Sequence, residues 1–412
     1  MKIALKYGHN PIQLNIPKTA DIIQSQELLK SGIDKKSFCS RLAADLPDNL
    51  DKYEKIGIVV SDKTRLCDYP LYLPWITETL KNKGADKGNI TFFIAYGNHS
   101  KQTDEECTNS YGKTYRQYKF IHHDSRNPET FAILGLTNRG TTIAIRKDIL
   151  ECSLLMTFGA ISYHYFAGYG GGRKLLFPGL GNAEAIYHNH GLFLDRDQRK
   201  LSEGCQPGNL ENNPLAEDLK EIDSYMPARI SVHGIVSAAG KVCELLIGKT
   251  YDDFVSACQL HNSHYQITTD RRYNFVVASC GGYPKDINFI QAHKSLHHSA
   301  SLVKDGGSLV LFAECMNGIG SEDFLKFLQI GSFKKTFEIL EKNYHGNGGT
   351  ALSLMVKTNR IKVYLVTYLN YKICETLKTT KIDVENVQRM IDDTKDTIAI
   401  IKNASMIVCR PK

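Results

Sequence analysis

Ile56-Gly57-Ile58-Val59-Val60 is an unbroken, mostly β-branched run, and what lies on either side of it decides how it is used. A strand apolar on both faces belongs in a sheet covered on both sides. Downstream, over 71–81, apolar residues recur at helical spacing, and a second β-rich run follows at 90–95. Further strands are expected at 141–145 and 154–158. Strand–helix alternation of this kind predicts an α/β chain with mainly parallel, helix-covered sheets.

A second set of strands begins at Phe275-Val276-Val277-Ala278-Ser279 and continues at 308–312 and 362–367. Between the sets, Thr268-Thr269-Asp270-Arg271-Arg272 is short and polar, which suits a hinge. The expected organisation is therefore two α/β domains, 1–268 and 269–395, with the active site in the cleft between them. The final run, 396–412, contains apolar Met406-Ile407-Val408-Cys409 and is expected to return to the first domain. No internal repeat is present.

The chain has 412 residues, too many for one ordinary core, with 42% hydrophobic and 23% charged residues. That balance excludes a mainly disordered protein. The formal charge of +7 comes from 51 basic and 44 acidic residues without a basic run, so nucleic acid is not an expected partner. Eleven cysteines without a CxxC pair fit a reducing compartment, and neither a signal peptide nor a membrane span is visible. A cytoplasmic enzyme with no membrane partner is expected; the oligomeric state is not legible.

The most informative stretch is Ser162-Tyr163-His164-Tyr165-Phe166-Ala167-Gly168-Tyr169-Gly170-Gly171-Gly172-Arg173-Lys174. Four glycines in five positions let backbone amides converge on an anion such as a phosphate. The spacing matches neither a P-loop nor GxGxxG, and a tight turn would explain the glycines alone. Sixteen residues after Lys174, His190 ends Asn182-Ala183-Glu184-Ala185-Ile186-Tyr187-His188-Asn189-His190-Gly191. Asn182 can cap a short helix that Gly191 terminates, leaving His190 at its end either to cap carbonyls or to bind metal. His188, two residues earlier, is expected on the helix surface.

Three more stretches place polar groups after strands: Ser61-Asp62-Lys63-Thr64-Arg65, Ala95-Tyr96-Gly97-Asn98-His99, and Gly281-Gly282-Tyr283-Pro284 leading to Asn288-Phe289-Ile290-Gln291-Ala292-His293-Lys294. Open α/β sheets build sites at such positions. Gln291 and Lys294, three apart, share a helix face.

In combination, from about residue 61 to residue 294, these stretches resemble the nickel-pincer-nucleotide lactate racemase family. The resemblance implies a racemase or epimerase of a small 2-hydroxy acid. It implies a nickel-pincer nucleotide (pyridinium-3,5-bisthiocarboxylic acid mononucleotide nickel) covalently attached at Lys174, with His190 as the nickel ligand. His99 and His164 would be the catalytic acid/base pair of a reversible proton-coupled hydride transfer. Asp62, Thr64, Gly170, Gly171, Gly172 and Arg173 would bind or orient the cofactor, while Arg65, Gln291, Lys294 and Tyr283 would face the substrate. Cofactor maturation enzymes would be partners.

The sequence departs from the family in its tryptophan. The single one, Trp75, lies in the first half, whereas lactate-acting members place one beside the site in the second domain. Gly346-Asn347-Gly348-Gly349-Thr350 falls near where that indole is expected, and small residues there would enlarge the pocket. A bulkier or more polar acid than lactate is therefore expected, whether aromatic, dicarboxylic or sugar-derived. Two alternatives stand beside this reading: a sugar-acid 2-epimerase with the same cofactor, and a non-catalytic carrier of the nickel group.

Overall fold

A computed structural model describes residues 1–25 and 32–411, which fall into two compact units. The amino-terminal unit holds Glu27–His190 and Asn209–Asn262; the carboxy-terminal unit holds Met1–Gln26, Gly191–Gly208 and Ser263–Lys412. Both are α/β with parallel-rich sheets, as the alternation predicts.

The amino-terminal unit is built on six strands in the spatial order Val242–Gly248, Arg229–Val236, Leu154–Ala160, Ile56–Ser61, Ile90–Ala95 and Lys119–His122. All neighbours are parallel except the first pair. Ile56–Ser61 is buried at every position, which explains its unbroken apolar run. Tyr69–Asn82 is the helix expected from the spacing at 71–81, and it packs Tyr72, Leu73, Ile76 and Leu80 into the core against Ile58 and Phe158. Each such side chain contributes roughly 1.5–3 kcal/mol by leaving water.

Chain order sets the location of the site. From Ile56–Ser61 the chain moves to Ile90–Ala95 and on to Lys119–His122, then returns to the other side of its first strand at Leu154–Ala160. Connections leave these two adjacent strands in opposite directions, the switch point at whose carboxyl ends open α/β sheets build their sites. The expected strand at 141–145 forms as Thr142–Arg146, but outside this sheet. It pairs antiparallel with Phe131–Leu136 in a separate ribbon that leaves Ile133 and Leu136 exposed.

The carboxy-terminal unit has an all-parallel sheet in the order Thr380–Lys381, Lys362–Val366, Val303–Phe312, Tyr273–Ser279, Ile398–Ile401 and Asp21–Ile23. The run expected to return to the first domain therefore stays in the second. Ile398–Ile401 is buried throughout and pairs with Tyr273–Ser279, and Val408–Pro411 pairs with Gln266–Thr269. The opening residues also belong here. The hairpin Lys2–Tyr7/Asn10–Asn15 contributes Ile3, Leu5 and Leu14 to a core shared with Val277, Val310 and Ile400. A short apolar strand joins whichever buried edge is open to it, and that edge is set by distant residues. Among the described residues no helix is long and apolar enough to cross a membrane.

Candidate active site

Three loops of the amino-terminal unit leave the carboxyl ends of adjacent strands: Asp62–Arg65 after the central strand, Tyr96–His99 on one side, and Ile161–Lys174 on the other. The roots of the His99 and His164 loops are thus two strand spacings apart, about 10 Å, with the Asp62 loop between them.

Asp62 is 4% exposed and caps the short turn Lys63–Arg65. Its Oδ1 accepts from the Thr64 amide at 2.8 Å and from Thr64 Oγ1 at 2.6 Å. Its Oδ2 lies 2.5 Å from His99 Nδ1. Burial opposes ionisation of Asp62, but the His99 imidazole, the Arg65 charge and the Thr64 hydrogen bond outweigh it, holding the carboxyl well below the usual carboxylate range. An ionised carboxylate can only accept, so His99 Nδ1 carries the proton and Nε2 is left basic. Thr64 Oγ1 in turn accepts from Arg65 Nη1 at 2.9 Å, which fixes the guanidinium. Beneath the loop, Tyr69 and Tyr111 bind Ser61 at both of its backbone polar groups, and Gln102 accepts from the Lys63 amide. These bracing residues carry no motif that would mark them in sequence.

His164 is 9% exposed, and its Nδ1 accepts from the amides of Phe166 at 3.3 Å and Ala167 at 3.1 Å. Amides only donate, so the neutral ring carries its proton on Nε2. That atom lies 3.5 Å from Lys174 Nζ. Lys174 remains partly exposed as a residue, yet protein crowds its amine. Burial first, then the charges of Arg65 and Arg173, push it well below the ordinary lysine range. A neutral amine is a nucleophile, and it can accept the His164 Nε2–H.

The glycines before Lys174 are dictated by space. Gly171 has φ +79°, and a Cβ there would lie 2.3 Å from the Ala160 carbonyl oxygen; at Gly172 (φ +53°) it would lie 2.2 Å from the Phe254 ring. Gly170 pairs with Ser162 in the short ribbon that carries His164. Arg173 turns inward: it is 2% exposed, its guanidinium lies 4.6 Å from the Phe254 ring, and Nη2 donates to the Ala167 carbonyl.

The helix Ala183–Gly191 begins as expected, with Asn182 Oδ1 accepting from Glu184 and Ala185 amides. It docks on the His99 loop, where Gly97 donates to the Gly179 carbonyl and faces Ile186. His190 Nδ1 lies 2.7 Å from the Ile186 carbonyl, so it donates and Nε2 keeps its lone pair. Burial, then the Lys174 charge, lower its pKa to about 3, so the ring is neutral. Neighbouring Asn189 is fully buried and donates to Asp218 Oδ2 at 2.8 Å, which pins the helix. Exposed His188 accepts from or donates to Thr141 Oγ1 at 2.9 Å, away from a ligand role. Among the described residues no three His, Cys, Asp or Glu side chains assemble a metal site.

The remaining residues lie in the carboxy-terminal unit. Asn288 caps the helix Phe289–Ala300, on which Lys294 Nζ donates to Gln291 Oε1 at 2.6 Å. Tyr283 is exposed and stacks on His9 with ring centres 4.4 Å apart. Gly348 and Gly349 do not line a vacated indole space: a Cβ at Gly348 would meet Leu340 at 2.3 Å, and one at Gly349 would meet the Tyr344 hydroxyl at 2.3 Å.

Comparisons with known proteins give the family. A lactate racemase N-terminal domain model matches residues 7–202, and a lactate racemase C-terminal domain model matches residues 268–349. Lactate racemase of Thermoanaerobacterium thermosaccharolyticum is 26% identical over 338 residues, 79% of this chain and 78% of that one. Lactate racemase of Lactiplantibacillus plantarum is 28% identical over 295 residues, 68% and 66% of the two chains. The fold is that of the solved lactate racemase apoprotein from T. thermosaccharolyticum, with TM-score 0.86, 24% identity and full coverage of both chains. A Thermotoga maritima crystal structure matches at TM-score 0.70 and 16% identity, covering 93% of this chain and 100% of that one. With family models spanning most of both units, the chain belongs to the lactate racemase family and is an isomerase, a racemase by class.

Proposed function

We propose that this chain racemises or epimerises a 2-hydroxy acid other than lactate, using a nickel-pincer nucleotide attached at Lys174 and ligated through His190. The observation that carries the reading is a lysine amine crowded by protein, close enough to His190 that the two would repel if both were protonated, beside an imidazole whose Nδ1–H is committed to the Ile186 carbonyl.

The residues fit the group. Attachment to a carboxyl-derived carbon needs an unprotonated amine, which burial provides at Lys174. A metal-bound histidine typically donates its second N–H to a carbonyl, as His190 does to Ile186. With no three-residue metal site among the described residues, nickel needs donors from outside the chain, which a pincer supplies. When bound, the group would provide a reversible hydride acceptor for the substrate C2. The backbone of Gly170, Gly171 and Gly172, whose missing Cβ atoms are required by Ser162, Ala160 and Phe254 behind them, would face its phosphate, and Arg173 acts through its charge on Lys174.

The chain's own task is proton transfer and positioning. His99 takes the substrate hydroxyl proton at Nε2, while Asp62 retains the Nδ1–H and stabilises the imidazolium. His164 presents its Nε2–H from the far side of the central strand, which suits the opposite stereoisomer. Arg65, held by Thr64, offers a guanidinium suited to a carboxylate. In the carboxy-terminal unit the Gln291–Lys294 pair is suited to a substrate carboxylate. The presence of two imidazoles favours turnover over a carrier role, since a carrier needs neither.

The test is intact mass spectrometry with metal analysis after co-expression with the cofactor pathway. An adduct on Lys174, absent in Lys174→Arg, with stoichiometric nickel supports the proposal; an unmodified, nickel-free chain overturns it. His99→Ala and His164→Ala should retain the adduct and lose racemisation of 2-hydroxy acids.

A further inference from the structure

The helix Phe289–Ala300 presents Gln291, Lys294 and His297 at successive three-residue steps, all partly accessible while their neighbours Ala292, His293, Ser295 and Leu296 are buried. A second helix of the same unit, Gly348–Arg360, packs beside it. Arg360 locks the two together at their carboxyl ends, donating to the carbonyls of Ala300 and Val303. Both helices precede parallel strands of one sheet, Val303–Phe312 and Lys362–Val366, and so run in the same direction. One turn before the Arg360–Ala300 lock, Lys357 comes level with His297, and one turn earlier still Ser353 comes level with His293 and Lys294.

Lys357 is only partly exposed, and its amine donates to Ser353 Oγ at 2.6 Å and to the Ser353 carbonyl at 3.1 Å, both uncharged. Groups facing it are basic throughout: His293, His297 and His298 from the neighbouring helix and Arg360 from its own. Burial is the first reason its amine falls to about 7, with Arg360 adding to the shift, and among the described residues no carboxylate counters it. An enclosed cation held by neutral oxygens gains by acquiring an anion.

We infer that Lys357, with Ser353 and His297, forms a subsite for a second carboxylate, and that the substrate is a short 2-hydroxy dicarboxylate. The inference rests on the proposed reading of Gln291 and Lys294 as partners of the carboxylate beside C2. Lys294 and Lys357 stand on neighbouring helices, offset by about one turn, ~5 Å, along axes that pack roughly 8–10 Å apart, so a short dicarboxylate bridges them with the two long side chains converging from either helix. The same feature selects against lactate, whose methyl group would face a cation without compensating it.

Binding tests the subsite without turnover. Calorimetric titration of the full chain with malate and with lactate should show malate at least tenfold tighter, and Lys357→Met should remove that margin while leaving lactate unchanged. Lys357→Arg, which keeps the cation, should restore most of it. Succinate, which lacks the hydroxyl, should displace malate from the unsubstituted protein, whereas acetate at equal concentration should not. This arm needs no variant to fold. Equal affinity for malate and lactate, equal weakening of both by Lys357→Met, or failure of succinate to compete each overturns the subsite. The proposed chemistry fails separately: cofactor-loaded enzyme that binds malate with the Lys357-dependent margin but exchanges nothing at C2 refutes the reaction and leaves the subsite standing. Loaded enzyme that racemises lactate with kcat/KM at or above that for malate refutes the dicarboxylate preference and leaves the reaction standing.

Discussion

Replacing Asp62 with asparagine changes one charge at nearly constant shape, and its effect can be worked from the geometry. The Asp62–His99 contact is 2.5 Å long, with an acceptor that is 4% exposed. Hydrogen bonds to charged groups contribute roughly 1.5–3 kcal/mol. If the new side-chain amide turns its carbonyl to His99, the tautomer survives but the imidazolium loses its counter-charge, and about 1.4 kcal/mol per tenfold converts that loss to a fall in kcat of roughly 10- to 150-fold. If it turns its NH2 instead, Nδ1 must accept, the proton moves to Nε2, and the base is lost; the fall is then on the order of 10²–10⁴, the usual worth of general base catalysis. The Thr64 bonds to Oδ1 compete for the carbonyl, which favours the second outcome. The assay is loss of optical rotation of a single stereoisomer by loaded enzyme, with Lys174 adduct occupancy measured on the same sample. A kcat within threefold of the parent at equal occupancy, or a deficit that merely tracks lost adduct, would refute the reasoning.

Asp62 also bears on stability. Its carboxyl is depressed in the fold, so its contribution is present above the unfolded value of about 3.9 and fades as pH falls below it. The Tm difference between the parent and Asp62→Asn should accordingly be largest above about pH 5 and shrink toward pH 3 in thermal scans. Lys174, whose charged form is disfavoured by burial and by the Arg65 and Arg173 charges, should react with trinitrobenzenesulfonate at pH 7.5 faster than exposed lysines, as peptide mapping of the apoprotein would read; a slower reaction argues for a charged amine. Gly171→Ala forces a side chain into positive φ and against the Ala160 carbonyl, and should destabilise the unit by roughly 2–5 kcal/mol in denaturant titrations and prevent loading. His190→Ala should keep its melting temperature within a few degrees yet lose nickel on dialysis, by metal analysis.

Much of the fold was readable because strands of a covered parallel sheet are apolar on both faces. Residues 56–60 and 275–279 announce themselves without tertiary information. The helix carrying His190 was readable for a different reason, since Asn182 and Gly191 mark both of its ends. The destination of 396–412 was not: Ile398–Ile401 looks the same whichever sheet it enters, and the open edge it fills was created by Tyr273–Ser279, over a hundred residues earlier. Thr142–Arg146 shows a related failure, a strand correctly recognised whose partner, Phe131–Leu136, placed it outside the sheet. At the candidate site, motif residues were visible as motifs, but their chemistry was not. That His99 and His190 both donate through Nδ1 depends on Asp62 and Ile186, and the pinning of Asn189 by Asp218 or the placement of Lys357 beside His297 leaves no local trace.

Among the described residues the strand Asp21–Ile23 has one neighbour, Ile398–Ile401, so this early segment finds its place in the sheet only after residue 401 has been synthesised. Every strand of the other sheet, from Ile56 to Gly248, leaves the ribosome before that closure is possible. During translation the loops bearing Lys174 and His190 can therefore mature while the second sheet still lacks its edge, and a stop codon just before residue 398 would spare the first assembly while leaving the second with unpaired, aggregation-prone strands.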